Sequence, residues 1–270
     1  MGMHIGEGEA ESISPVNLLW TGGWDSSFRL LQLLLQYRRE VVPHYLLDPT
    51  RASTQAELEA MERMRRALFE RHPHTRALLK PLRKFDTAML APDATITDAF
   101  REIVSERFIG SQYDWLARFR KQLDIAGLEL AAGYRGGRIH GIIGPLVMEF
   151  TDGGHASYRI DPEYSDTKEF AVFGGFSFPL FALNKQETGS IAVERGWLDI
   201  LRMSWFCHKP GNGNEPCGYC NPCLYATDEG FGWRIPRRNR IKGIFYRALV
   251  KPMKAPAKAA LRQLGIGRRP

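Results

Sequence analysis

The chain has 270 residues, 44% of them hydrophobic, including 15 Phe, 9 Tyr and 6 Trp, enough apolar material for one large α/β domain with appendages. No apolar run reaches the length of a bilayer span, and the first 14 residues carry Glu7, Glu9 and Glu11 without an apolar stretch, so neither a spanning helix nor a secretory signal is expected and the default compartment is the cytoplasm. The net charge of +7 is uneven: residues 231–270 hold twelve Lys or Arg and no acid, leaving 25 basic and 30 acidic residues in the other 230 from chain totals of 37 and 30.

In chain order, a short apolar strand is expected over 15–20, then a helix from Ser26 to Arg39 with Phe28, Leu31, Leu34 and Leu35 on one face. The next strand is 41–48, weakened at its start by Pro43. Thr54 and Glu57 have capping-box spacing ahead of a helix whose Arg63, Arg65 and Arg66 mark a solvated face. A third strand is expected over 76–82. Helices follow over 97–108 and 111–123, the second with a capping box of Ser111 and Asp114, and a strand over 128–132 stops at Gly133. The glycine-rich stretch 134–154 reads as a loop-rich insertion, followed by a short strand at 157–160. Asn184 caps a helix closed by Gly196, and 200–205 leads into the cysteines. Strands alternating with helices indicate a doubly wound parallel sheet.

The loop after the first strand, Leu18-Leu19-Trp20-Thr21-Gly22-Gly23-Trp24-Asp25-Ser26-Ser27, has the chemistry of a phosphate site. Gly22 and Gly23 allow a tight turn and close approach of the backbone to a ligand. The hydroxyls of Thr21, Ser26 and Ser27 can donate to phosphate oxygens, and the first N–H groups of the helix face the same point. Asp25 would repel a phosphate unless it holds Mg²⁺, so it points to ATP bound with its metal. An ordinary strand–turn–helix with a serine cap is the plainer alternative.

All four cysteines fall in Cys207-x9-Cys217-x2-Cys220-x2-Cys223. Two successive C-x-x-C steps, turned at Gly218 and stiffened at Pro222, suit thiolate coordination of Zn²⁺, with an iron–sulfur cluster as the other metal reading. His208 is expected as a neighbour rather than a ligand.

The loop resembles the S-G-G-x-D-S loop of the PP-loop ATP pyrophosphatases, with Thr21 at the first Ser. In the C-terminal half, Pro179-Leu180-x-x-Leu183-x-Lys185-x-Glu187, then Ala192 and Gly196, then Ser204-x-x-Cys207 and Pro216-Cys217-Gly218-x-Cys220-x-x-Cys223, resemble the end of the 7-cyano-7-deazaguanine synthases of that family. The likeness spans about 16–231. It implies a Rossmann-like domain of the adenine nucleotide alpha-hydrolase-like type, Mg²⁺, a zinc near the C-terminus and commonly a homodimer. It also implies cleavage between the α- and β-phosphates of ATP, with adenylation of a substrate carboxylate for attack by ammonia or another amine. Asp25 and Lys185 would be its catalytic groups, although Lys185 can equally be a solvated lysine on an amphipathic helix. Arg51, after the second strand, could reach nucleotide or substrate or simply lie exposed. The family's Pro-Asp-Cys substrate segment is replaced by Gly133-Tyr134-Arg135-Gly136-Gly137-Arg138 and Phe173-Gly174-Gly175-Phe176-Ser177-Phe178, which leaves the carboxylate itself open. An RNA-thiolating enzyme and a non-catalytic adaptor binding zinc and nucleotide are the competing functions.

These readings divide the chain into a flexible 1–14, an ATP-binding domain 15–200, a zinc module 201–230 and a basic tail 231–270. In the tail, Ile241, Ile244, Phe245, Ala248 and Leu249 make a helical stripe bordered by Arg240, Lys242, Arg247 and Lys251, ending at Pro252, with a second short helix at 257–264. It could lie on an anionic membrane surface, hold RNA phosphates or pack its stripe on the body.

Overall fold

The computed structural model describes residues 14–252. The expected flexible segment 1–14, apart from Ser14, and the second tail helix at 257–264 lie outside them.

Strand β1 (Val16–Leu19) leads into helix α1 (Trp24–Leu31), continued by a wider π turn to Gln36. Strand β2 (Val41–Leu47), helix α2 (Thr54–Arg71), the single turn α3 (Thr75–Leu78) and strand β3 (Arg83–Asp86) follow. Helices α4 (Ala94–Glu106) and α5 (Gln112–Gln122) precede the two-residue strand β4 (Leu128–Glu129). Next come α6 (Arg138–Ile143), the hairpin of β5 (Val147–Asp152) and β6 (His155–Ile160), α7 (Lys168–Phe173) and β7 (Phe176–Ser177). The described residues close with α8 (Lys185–Glu194), α9 (Leu198–Leu201), α10 (Asn221–Asp228) and α11 (Arg237–Phe245), the last continued by a π turn over Tyr246–Val250.

Five strands form one parallel sheet in the order β3-β2-β1-β4-β7. The chain steps outward from β1 to β3 and then returns to the other side of β1 with β4. The crevice at such a reversal is where open parallel sheets bind ligands. The strands alternate between two apolar layers: Val16, Leu18 and Trp20 face the layer shared with α1, α2 and α8, while Leu19 and Leu46 face the layer of α4, α5 and α7. Burial on both faces explains why β1 and β2 read as largely apolar runs, whereas the edge strand β3 (Arg83–Asp86) is polar and mostly exposed.

Three expectations need correction. The third strand is not at 76–82 but at β3, and part of the expected span is the turn α3. Pro43 sits inside β2 and has no N–H to give. On that side the pairing breaks between an isolated bridge at Leu79 and the ladder that begins at Arg83. The expected capping boxes at Thr54 and Ser111 do not form. Glu57 instead accepts from Ser53 Oγ (2.6 Å) and Tyr45 Oη (2.7 Å), and Asp114 accepts from Thr97 Oγ1 (2.7 Å) and pairs with Arg118 (2.9 Å). The stretch 134–154 is not a loop-rich insertion, since it contains α6 and all of β5. The β5–β6 hairpin turns on Gly153 and Gly154, both at positive φ (54° and 84°), as a two-residue primed turn demands.

The cap at Asn184 is present with Glu187 as its reciprocal partner. Arg63, Arg65 and Arg66 are exposed on α2. The tail helix forms, but its stripe does not pack on the body: Ile241, Ile244, Phe245 and Leu249 are exposed. No described helix is long and apolar enough to cross a membrane.

Candidate functional site

The loop between β1 and α1 lies at the β1/β4 reversal, on the wall of a cleft of about 600 Å³. Thr21, Gly23, Asp25 and Ser26 line it from one side, Arg51 from the end of β2, and Lys185 from the first turn of α8. The Thr21 and Ser26 hydroxyls lie 3.2 Å apart, and the Thr21 amide donates to Ser26 Oγ at 3.2 Å, so both oxygens are held at the turn. Gly23 is the residue before α1, whose first N–H groups have no acceptor within the helix.

Two expected members stand off the cleft wall. Gly22 makes the turn at φ +68°, and its carbonyl accepts from the Trp205 amide at 2.8 Å. Ser27 is buried, and its Oγ accepts from Trp20 Nε1 at 3.0 Å.

Asp25 is the centre of the site's electrostatics. Its carboxyl is buried, and Oδ1 makes no hydrogen bond in the protein. Burial raises its pKa, opposed by the nearby Lys185 ammonium. The Tyr134 hydroxyl lies close enough to favour the carboxylate, but it too lacks a partner of normal hydrogen-bond geometry. Lys185 donates to Glu229 at 2.8 Å. Burial disfavours its ammonium, but Asp25 and Glu229 outweigh that and its pKa is raised. Arg51 lies 3.5 Å from Glu57 at the other side of the cleft.

Three further groups sequence reasoning did not find. Tyr134 comes from the loop after β4, Glu229 follows α10, and Arg234 comes from the segment assigned to the tail. The Arg234 guanidinium lies 4.5 Å over the Phe206 ring and 5.9 Å from the Trp24 ring, and it donates to Ser204 Oγ at 2.9 Å. Burial lowers its pKa to about 10 against the pull of Asp25. A smaller cavity of about 240 Å³, bounded by Asp25, Lys185, Glu229 and Arg234, continues behind the loop. No motif flags these residues, because their proximity to Asp25 is made by packing, including a 4.9 Å contact between the Trp24 and Phe231 rings.

The four cysteines converge and carry no disulfide. Cys217 and Cys223 sulfurs are 3.9 Å apart, and Cys207 and Cys220 sulfurs 3.8 Å. A tetrahedral ion with metal–sulfur bonds of about 2.3 Å has ligand edges of about 3.8 Å, so the set could hold a single ion such as zinc. The Cys217 amide donates to Cys207 Sγ (3.2 Å) and the Cys220 amide to Cys217 Sγ (3.3 Å), polar support of the kind thiolate ligands need. His208 is exposed and outside the cluster. The cysteines belong to the same apolar cluster as Leu18 and Phe28 rather than to a core of their own.

A second group of donors, Glu129, Asp152 and His155, also converges. A protein cation already occupies that point. Arg29 donates to both Glu129 oxygens (2.8 and 2.6 Å) and its Nη2 lies 2.6 Å from His155 Nε2.

No family model matches the chain, and no curated protein matches it either.

Proposed function

We propose that the chain is an ATP-dependent carbon–nitrogen ligase of the PP-loop type, similar to the 7-cyano-7-deazaguanine synthases, with a Rossmann-like nucleotide domain. The observation that carries this reading is Asp25: a buried carboxylate with an orphaned oxygen, in the first turn of α1 just past the glycine turn at the sheet's reversal, near a lysine. Burying such a group without a partner is costly, and that cost is retained where a ligand cation or reacting group completes it.

Thr21, Ser26 and the Gly23 end of α1 would hold phosphate oxygens, and Lys185, now paired with Glu229, would meet the charge of the triphosphate. Asp25 would hold Mg²⁺, whose chemistry is to neutralise pyrophosphate as it leaves. A carboxylate oxygen of the substrate attacks the α-phosphorus and pyrophosphate departs. Ammonia or another amine then attacks the acyl carbon and AMP departs. The cysteines would hold zinc structurally. That leaves no free thiol for RNA thiolation, since the chain has only these four. A non-catalytic adaptor would form no AMP, so measurable AMP formation separates the two readings.

The test is release of AMP and pyrophosphate from ATP across a panel of carboxylates with ammonia. Asp25→Asn is expected to lower the rate at least about 100-fold. A folded, metal-loaded protein with no ATP affinity by calorimetry overturns the reading.

A further inference from the structure

A helix that borders a core normally turns its apolar stripe inward. The C-terminal helix does the opposite. Ile241, Ile244, Phe245 and Leu249 are between 46% and 67% exposed, and Val250 beside them is 43% exposed. The docked face is the other one, carrying Asn239 and Gly243, both buried. Gly243 lies so close to the cysteine knuckle that a Cβ there would stand 2.3 Å from the Gly218 carbonyl oxygen. Asn239 Nδ2 donates to the Pro216 carbonyl (2.9 Å), and Arg247 donates to the Leu224 carbonyl (2.8 Å). These directional contacts prevent the helix from rolling its stripe inward.

The charges around the stripe match one kind of partner. Arg238 and Arg247 are engaged by Glu215 and Asp228. Arg240, Lys242 and Lys251 are exposed around the stripe, and Arg237 is exposed one turn before Ile241. We propose that this face docks on an anionic lipid bilayer, lying in the interface plane with Ile241, Ile244, Phe245 and Leu249 among the acyl chains and the flanking cations on lipid phosphates. RNA would satisfy the cations but leave three of these four side chains in water, since only Phe245 can stack on a base. A second copy of the helix would bring two cationic borders together at a cost. The proposal is independent of the chemistry in the cleft.

The experiment is flotation of the full-length chain with vesicles of phosphatidylcholine alone or mixed with phosphatidylglycerol. Binding is expected only to the mixed vesicles, weakening as salt rises. Ile244→Glu with Phe245→Glu should lower it at least about 10-fold. Both side chains are exposed, so the fold is expected to survive, checked by circular dichroism and metal content. Arg240→Gln with Lys242→Gln should weaken binding to anionic vesicles without creating binding to neutral ones. Binding that survives the two Glu substitutions overturns the proposal, because the contact is then charge alone. Failure to bind mixed vesicles overturns it too, as does a dimer that the Glu substitutions dissociate, or RNA binding with vesicles ignored.

Discussion

Gly22 and Asp25 show how one loop combines a steric and an electrostatic requirement. A Cβ at Gly22 would stand 2.9 Å from both the Glu57 carbonyl oxygen and the Met61 side chain, at a φ that L-residues avoid. At Asp25 the requirement is charge. Its folded pKa is raised, chiefly by burial, so ionisation works against the folded state once the pH passes the unfolded value of 3.8. Asp25→Asn keeps the shape and removes that penalty. It should therefore raise the thermal midpoint at neutral pH while lowering the proposed AMP formation at least about 100-fold, whereas a purely structural aspartate would lower both. Differential scanning calorimetry and the AMP assay on the same sample check this. The spacing of Thr21, Gly23, Asp25 and Ser26 was legible because those residues are local in sequence. Tyr134, Glu229 and Arg234 were not, since each reaches Asp25 from a different segment.

Between elements, the most buried ion pair among the described residues is Arg29–Glu129, which fastens α1 to β4 and, through His155, to the β5–β6 hairpin. Removing one partner strands the other charge in the core. Arg29→Met alone should cost about 3–5 kcal/mol in urea unfolding, while Arg29→Met with Glu129→Leu should recover most of it. Full additivity of the two single losses would show that the pair is not a unit. Helix α8 illustrates the readable kind of element: Asn184 and Glu187 are three residues apart and close their capping box in the structure. Glu57 and Asp114 have the same spacing from Thr54 and Ser111, but tertiary partners take their oxygens. Local patterns state which hydrogen bonds are available. Burial decides which are made.

For the whole molecule, two buried histidines set an acid limit. Burial, aided by Arg83, lowers His44 to about 4, and burial, aided by Arg29, lowers His155 to about 4. Between about pH 6.5 and 4 the unfolded chain binds these protons and the folded chain does not, so stability is full above about 6.5 and falls as the pH drops through that window. Each can contribute up to about 3 kcal/mol of loss by pH 4. Urea midpoints across the window should decline, and His44→Gln should flatten the decline. A second expectation follows from the cysteines sharing the core of β1 and α1. With an ion bound at the cysteines, as proposed, stripping it should lower the midpoint of one global transition rather than melt the tail alone, measured by circular dichroism alongside metal release.

By itself the sequence determined the elements whose signals are local: an apolar strand entering a glycine turn, hydroxyls and a carboxylate at fixed offsets, four cysteines within seventeen residues, and a basic amphipathic tail. Only the tertiary structure decided what those parts face. Packing at the sheet's reversal carried Lys185, Glu229 and Arg234 to Asp25, and close backbone contact at Gly218 and Gly243 turned the apolar stripe of the tail outward. The physical reason is the same in both cases. Side-chain chemistry is written residue by residue, but burial and electric field are properties of neighbours that the chain brings together only when it folds.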